Sequence, residues 1–182
     1  MKKIILLLTI ITFSFNTKAQ EKINWITLNK ALELQKENPK KIMMDVYTNW
    51  CGPCKKLDEQ TFQNKDVISY VNKNYYAVKF NGEGDEVINY KGSTFSNPNY
   101  DKTKANKRNS SHEFADYMQI RGYPTIAFWD EEGKLLVPLT GFYNPQQLEL
   151  YLKMFYNDKH KEITSQEKFT AYSKAFKPQF KN

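Results

Sequence analysis

Apolar positions along the chain follow two rhythms, one of strand length and one of helical spacing, and together they predict an alternating α/β order. Ile23-Asn24-Trp25-Ile26 reads as a short strand, and Ala31, Leu32 and Leu34 mark one side of a helix ending at Asn38-Pro39. Residues 42–47 are almost all apolar, as expected of a central strand covered on both faces, so Asp45 is out of place there. Cys51-Gly52-Pro53-Cys54 opens a helix that runs on through Glu59, with the proline where a first helical turn tolerates it. A helical piece over about 66–72, with Val67, Ile68 and Val71 apolar, then leads into a strand over 75–80.

Residues 82–111 break the pattern with Gly82, Gly84, Gly92, Pro98 and many Asn, Ser and Lys. A loop of this length is uncommon inside a compact domain and is often functional or mobile. A helix over about 113–118 follows, then strands at 125–129 and 135–140 joined by Asp130-Glu131-Glu132-Gly133. Asn144-Pro145-Gln146-Gln147 supplies an N-cap, a first-turn proline and a capping-box glutamine for a helix carrying Leu148, Tyr151, Leu152 and Phe155. A last helix is expected from Thr164, with Glu167 completing its capping box and Phe169, Tyr172 and Phe176 as its buried stripe. The order implies a central mixed sheet flanked by helices on both faces, with an inserted loop and an extra C-terminal helix.

The first residues are of another kind. Lys2 and Lys3 precede an apolar run from Ile4 to Ile11, extended by Phe13 and Phe15, and Thr17-Lys18-Ala19 offers small residues for cleavage. That order marks a secretory signal peptide, and the run falls short of the ~20 apolar residues of a membrane span. An uncleaved anchor is the competing reading. The expected organisation is therefore a signal peptide at 1–19, an α/β domain at 20–160 with its insertion at about 82–111, and a helical extension at 161–182, in a periplasmic or secreted protein. Removing 1–19 lowers the formal charge from +7 to +4, which suits solubility and not nucleic-acid binding.

Only two residues separate the two cysteines, and a bridge closing so small a loop constrains the unfolded chain little. A reactive pair fits better than a structural staple. Thiolate is the attacking species, and the unpaired N–H groups and dipole at a helix start stabilise it. Cys51, at that start, is expected to attack; Cys54, one turn in and expected to be more buried, resolves the mixed disulfide. Asp45, on the preceding strand, is a candidate general base for Cys54, with Lys79 on the neighbouring strand as its partner. The plainer alternative for Asp45 is an exposed edge-strand carboxylate. Zinc would need two further ligands, and His112 and His160 are far apart in sequence, so no metal is expected.

Trp50-Cys51-Gly52-Pro53-Cys54-Lys55 resembles the active-site segment of thioredoxins. Asp45 and Lys79 resemble the family's buried acid and its paired lysine, and Arg121-Gly122-Tyr123-Pro124-Thr125 resembles its cis-proline loop. Phe128, Gly133 and Gly141 resemble residues of its last hairpin, so the likeness spans about 23–155 apart from the insertion. It implies a thioredoxin fold and disulfide exchange with no cofactor beyond the Cys51–Cys54 couple. It also implies a substrate groove lined by Trp50, Gly52, Pro53, Tyr123 and Pro124, core packing being the alternative for the two aromatics. The leader, the insertion, the C-terminal helix and the bulky Tyr123 depart from the family and resemble exported thioredoxin-like proteins.

Gly52-Pro53 is the dipeptide of reducing thioredoxins. The expected activity is reduction or isomerisation of cysteine-containing exported proteins, supplied by a membrane-embedded thiol donor, without nucleic acid or metal. An oxidase is one alternative. A redox-coupled binding or chaperone-like module is another, motivated by Lys91, Lys102, Lys104, Lys107 and Arg108 in the insertion, for which a solvated loop is the plainer account.

Overall fold

A computed structural model describes residues 21–181; the expected signal peptide at 1–19 lies outside the described residues. Along the chain run β1 (Trp25–Ile26), α1 (Leu28–Glu37), β2 (Ile42–Tyr47), α2 (Gly52–Gln60), α3 (Lys65–Asn74) and β3 (Tyr76–Asn81). They are followed by β4 (Ile88–Tyr90), β5 (Ser93–Phe95), α4 (Glu113–Tyr117), β6 (Thr125–Trp129), β7 (Leu135–Thr140), α5 (Pro145–Tyr156) and α6 (Gln166–Ala175).

The main sheet has the order β1-β3-β2-β6-β7, with β1, β3 and β2 parallel, β6 antiparallel to β2, and β7 antiparallel to β6. β2 is central and buried, as its apolar run requires. Its alternation divides the core: Met43 points to one face with Leu57, Val67, Leu148 and Phe155, while Ile42, Met44 and Val46 point to the other with Leu28, Ala31, Phe114 and Trp129. Helices therefore cover both faces. The sheet's outer strands are unpromising for further pairing: β1 has two residues, and β7 carries Pro138, which has no N–H to donate.

The insertion is not the patternless loop expected from its composition. β4 and β5 form a hairpin through Lys91 and Gly92, whose φ of 49° and 78° suit a tight two-residue turn. Ile88 and Tyr90 are buried in the core, Tyr90 meeting Phe114 and Trp129 edge-on at 5.6 Å and 5.3 Å. The ends of the insertion are tied together where Gly82 donates to Tyr47 O and His112 donates to Gly82 O, both at 2.9 Å. His112 also caps α4, its Nδ1 accepting the Phe114 N–H at 3.0 Å while Nε2 sits 2.6 Å from Glu86 O.

Two details of the C-terminal helix are corrected. α6 is capped by Ser165, which accepts the Lys168 N–H, so Glu167 is not its capping-box partner. Phe169, Tyr172 and Phe176 are only half-buried, because α6 contributes no buried residue. The anchor lies beyond it. Phe180 is 8% exposed, and the buried Glu149 carboxylate accepts N–H bonds from Gln179 and Phe180 at 2.7 Å and 2.8 Å while pairing with Lys153 at 2.6 Å. Glu149→Ala strands those two amides and leaves the Lys153 ammonium with only its bond to Gln179 Oε1 at 2.8 Å. It is expected to cost about 2–4 kcal/mol in urea unfolding and to speed proteolysis of the C-terminal segment.

Candidate active site

β2 ends at Tyr47, and residues 48–51 turn the chain into α2. Cys51 donates its N–H to Thr48 O at 3.2 Å and occupies the N-cap of α2, where its Sγ accepts the Cys54 N–H at 3.1 Å. Pro53 lies in the first turn, where a missing N–H removes no helical bond. Cys51 and Cys54 are joined in a disulfide with Cα atoms 5.3 Å apart. At 2% and 3% exposure the two cysteines are equally buried, so burial does not distinguish them as expected. Position does: the Cys51 sulfur sits at the helix head, and Gly52 and Pro53 beside it are exposed.

Asp45 is buried at 1% exposure in central β2, not on an edge. It shares the parity of Met43 and so points to the face that α2 covers, and its register partner on β3 is Lys79. The Lys79 ammonium is 3.4 Å from Asp45 Oδ2, while Asp45 Oδ1 is buried with no hydrogen-bond partner. Burial pushes the Asp45 carboxyl up to about 7, against the pull of Lys79 and aided by Asp58. Burial works against the Lys79 charge, but Asp45 and Asp58 outweigh it and raise its pKa. The Lys79 ammonium is also flanked by the rings of Tyr47 and Trp25 at 5.1 Å and 5.2 Å.

Asp58 joins this pair. It is Lys79's nearer carboxylate, reaching it from α2. Its spacing of four from Cys54 places it on the same side of the helix one turn on, a relation legible in the sequence.

β6 pairs with β2 so that Thr125 lies opposite Val46, which brings the loop before β6 to the end of the sheet from which the cysteine turn departs. The Tyr123–Pro124 peptide in that loop is cis. Pro124 is buried and Tyr123 half-buried, the Tyr123 ring standing edge-on to Trp50 at 6.4 Å. Burial and the nearby Glu83 and Asp116 hold the Tyr123 hydroxyl up at about 12.

Two insertion residues also meet this aromatic pair. Glu83 Oε2 accepts the Trp50 indole N–H at 2.7 Å and the Asn109 N–H at 2.8 Å, and the Arg108 guanidinium lies over the Trp50 ring at 4.3 Å. No sequence signal connects residues so far apart in the chain. Cys51, Cys54, Trp50, Gly52, Pro53, Tyr123 and Pro124 thus gather at one end of the sheet, with Asp45 and Lys79 beneath α2. His112 and His160 stand elsewhere, His112 bonded within the insertion and His160 against Phe155 at 5.2 Å.

The family model of a thioredoxin-like domain matches residues 28–156. The thiol:disulfide interchange protein DsbD of Pectobacterium atrosepticum is 26% identical over 134 residues, covering 72% of this chain and 19% of DsbD. This chain spans about a fifth of the length of such relatives. Among solved structures, a thioredoxin-fold protein from Helicobacter pylori is similar at TM-score 0.59 and 19% identity, covering 86% of this chain and 89% of that one. A thioredoxin from Thermus thermophilus is similar at TM-score 0.53 and 13% identity, covering 74% and 87%. The chain belongs to the thioredoxin-like domain family.

Proposed function

We propose that this protein exchanges disulfides with cysteine-containing exported proteins as a reductase or isomerase, Cys51 attacking and Cys54 resolving. The observation that carries the reading is the N–H bond from the head of α2 to Cys51 Sγ, because the same donor and the helix dipole would hold a thiolate after reduction. The Cys51 thiolate attacks one sulfur of the substrate disulfide, forming a mixed disulfide while the other substrate sulfur leaves as thiolate. Asp45 takes the Cys54 thiol proton, and Cys54 then attacks Cys51 Sγ. The second substrate thiolate leaves, and the Cys51–Cys54 disulfide forms. In this reading Lys79 positions Asp45 by charge, and Trp50, Gly52, Pro53, Tyr123 and the cis-bonded Pro124 line the groove that receives the substrate chain.

The organisation that suits this role is a leader at 1–19, the catalytic domain at 20–160 and the helical extension at 161–182. The likeness to thiol:disulfide interchange proteins supports an exported protein supplied with electrons by a membrane thiol donor.

A Cys54→Ala variant is expected to accumulate mixed disulfides through Cys51, and Cys51→Ala few, when envelope proteins are resolved on non-reducing gels. Equal accumulation by both variants would overturn the assignment of attacker and resolver. Equilibration against glutathione is expected to give a potential near that of reducing thioredoxins, about −270 mV, and not the about −120 mV of a strong oxidant. The second result would replace the reductase reading with an oxidase.

A further inference from the structure

The second half of the insertion lies against the turn that presents Cys51. Asn49, two residues before it, donates its side-chain amide to Ala105 O at 2.8 Å, and Trp50 carries the Arg108 guanidinium on its face at 4.3 Å. Glu83 fastens the arrangement from within by accepting from Trp50 and Asn109 together. The stretch between these anchors is basic and faces solvent: Lys104, Lys107 and Arg108 are all exposed. Beyond the cysteines, Lys55 and Lys56 are exposed on α2, and Arg121 is exposed in the loop that holds Tyr123 and Pro124. Of the acids nearby, Asp101 pairs with Lys104 at 3.4 Å, the Glu83 carboxylate is committed to its two N–H donors, and Asp116, near Tyr123, accepts the Ser111 hydroxyl at 2.6 Å.

We infer that Lys104, Lys107 and Arg108 form a cationic wall of the substrate groove and select disulfide-bearing polypeptides with carboxylates flanking the reacting cysteine. The inference rests on the proposed disulfide exchange and names its substrate class. Positive charge beside the sulfur raises the encounter rate with acidic chains and lowers it with basic ones, an effect that salt screens. Arg108 is placed to do more than attract, since its planar guanidinium on Trp50 can take a carboxylate in a forked pair at the rim of the groove.

The test uses the prereduced protein in single turnover against three disulfide peptides that differ only in flanking Asp, Ser or Lys pairs. The Asp peptide is expected to react about tenfold faster than the Lys peptide in ~20 mM salt, and under about twofold faster in ~0.5 M salt. The combined variant Lys104→Gln, Lys107→Gln, Arg108→Gln is expected to bring the low-salt ratio to about twofold. A matched variant, Lys36→Gln, Lys91→Gln, Lys134→Gln, removes the same charge near the β6–β7 turn at the other end of the sheet and is expected to keep the tenfold ratio. A wild-type ratio near one, a ratio surviving the first variant, or an equal loss in both variants would overturn the inference while leaving disulfide exchange standing. Failure of all three peptides to react would overturn disulfide exchange, and this inference with it.

Discussion

Cys51→Ser is expected to lower disulfide-peptide reduction by at least about a thousandfold, because a serine hydroxyl at the head of α2 stays protonated and forms no exchangeable bond to sulfur. Cys54→Ser should differ in kind. The first half of the reaction remains, so one equivalent of mixed disulfide forms and turnover then stops. A burst of one leaving thiol per protein, followed by a flat trace, is the expected record for Cys54→Ser, and no burst for Cys51→Ser. Stability should separate from activity in both variants. The bridge closes a loop of only four residues, and such a loop restrains the unfolded chain by about 2 kcal/mol, against about 4.7 for a hundred-residue loop. Urea unfolding of the reduced wild type and of either variant should therefore fall below that of the oxidised wild type by no more than that margin. A collapse of the fold on reduction would recast the bridge as a staple.

Asp45→Asn is expected to make the protein more stable and slower. Burial lifts the Asp45 carboxyl to about 7, far above the ordinary value of 3.8 that it takes in an unfolded chain. Between those values the native state keeps a proton that the unfolded chain has released. Stability therefore falls as pH rises through about 4 to 7, and the loss is complete above the native pKa. Linkage puts the cost at about 4 kcal/mol at mildly alkaline pH. Asparagine does not ionise, so the variant should gain on the order of 2–4 kcal/mol at pH 8, gain nothing near pH 4, and lose the slope between them. Lys79 keeps a counter-ion in Asp58, so the exchange leaves no unpaired ammonium. Turnover at pH 7 should fall about tenfold to hundredfold, and its inflection near pH 7 should vanish, if this carboxylate takes the Cys54 proton. A variant with the wild-type pH–stability slope would show that Asp45 is already ionised throughout.

The fold was legible where local pattern and tertiary role agree. β2, β6 and β7 follow from continuous apolar runs bounded by turns, and the Asn144–Gln147 capping box marks the start of α5 to the residue. The cysteine turn was equally plain, since its chemistry is written in six consecutive residues. The hairpin β4–β5 was not. Each strand is three residues long, too short for alternation to show, and what makes it a strand pair is burial of Ile88 and Tyr90 against a core built from distant segments. The same limit hid Glu83 and Arg108, whose meaning comes from touching Trp50 across 33 and 58 positions of chain. Asp58 is an intermediate case. Its helical spacing from Cys54 was visible, but its pairing with Lys79 depends on which sheet face α2 covers.

Pro138 and the brevity of β1 bear on how other chains are received. An open five-stranded sheet ordinarily offers two templates along its flanks, where a passing unfolded polypeptide can zip on and stay. Here one flank is interrupted by an imide and the other is two residues long. In the proposed exchange, a client in extended form therefore finds little purchase beside the sheet, which leaves it to the groove beside Cys51. Weak hold elsewhere suits the proposed reaction, in which each client must leave once its sulfur–sulfur bond has been exchanged.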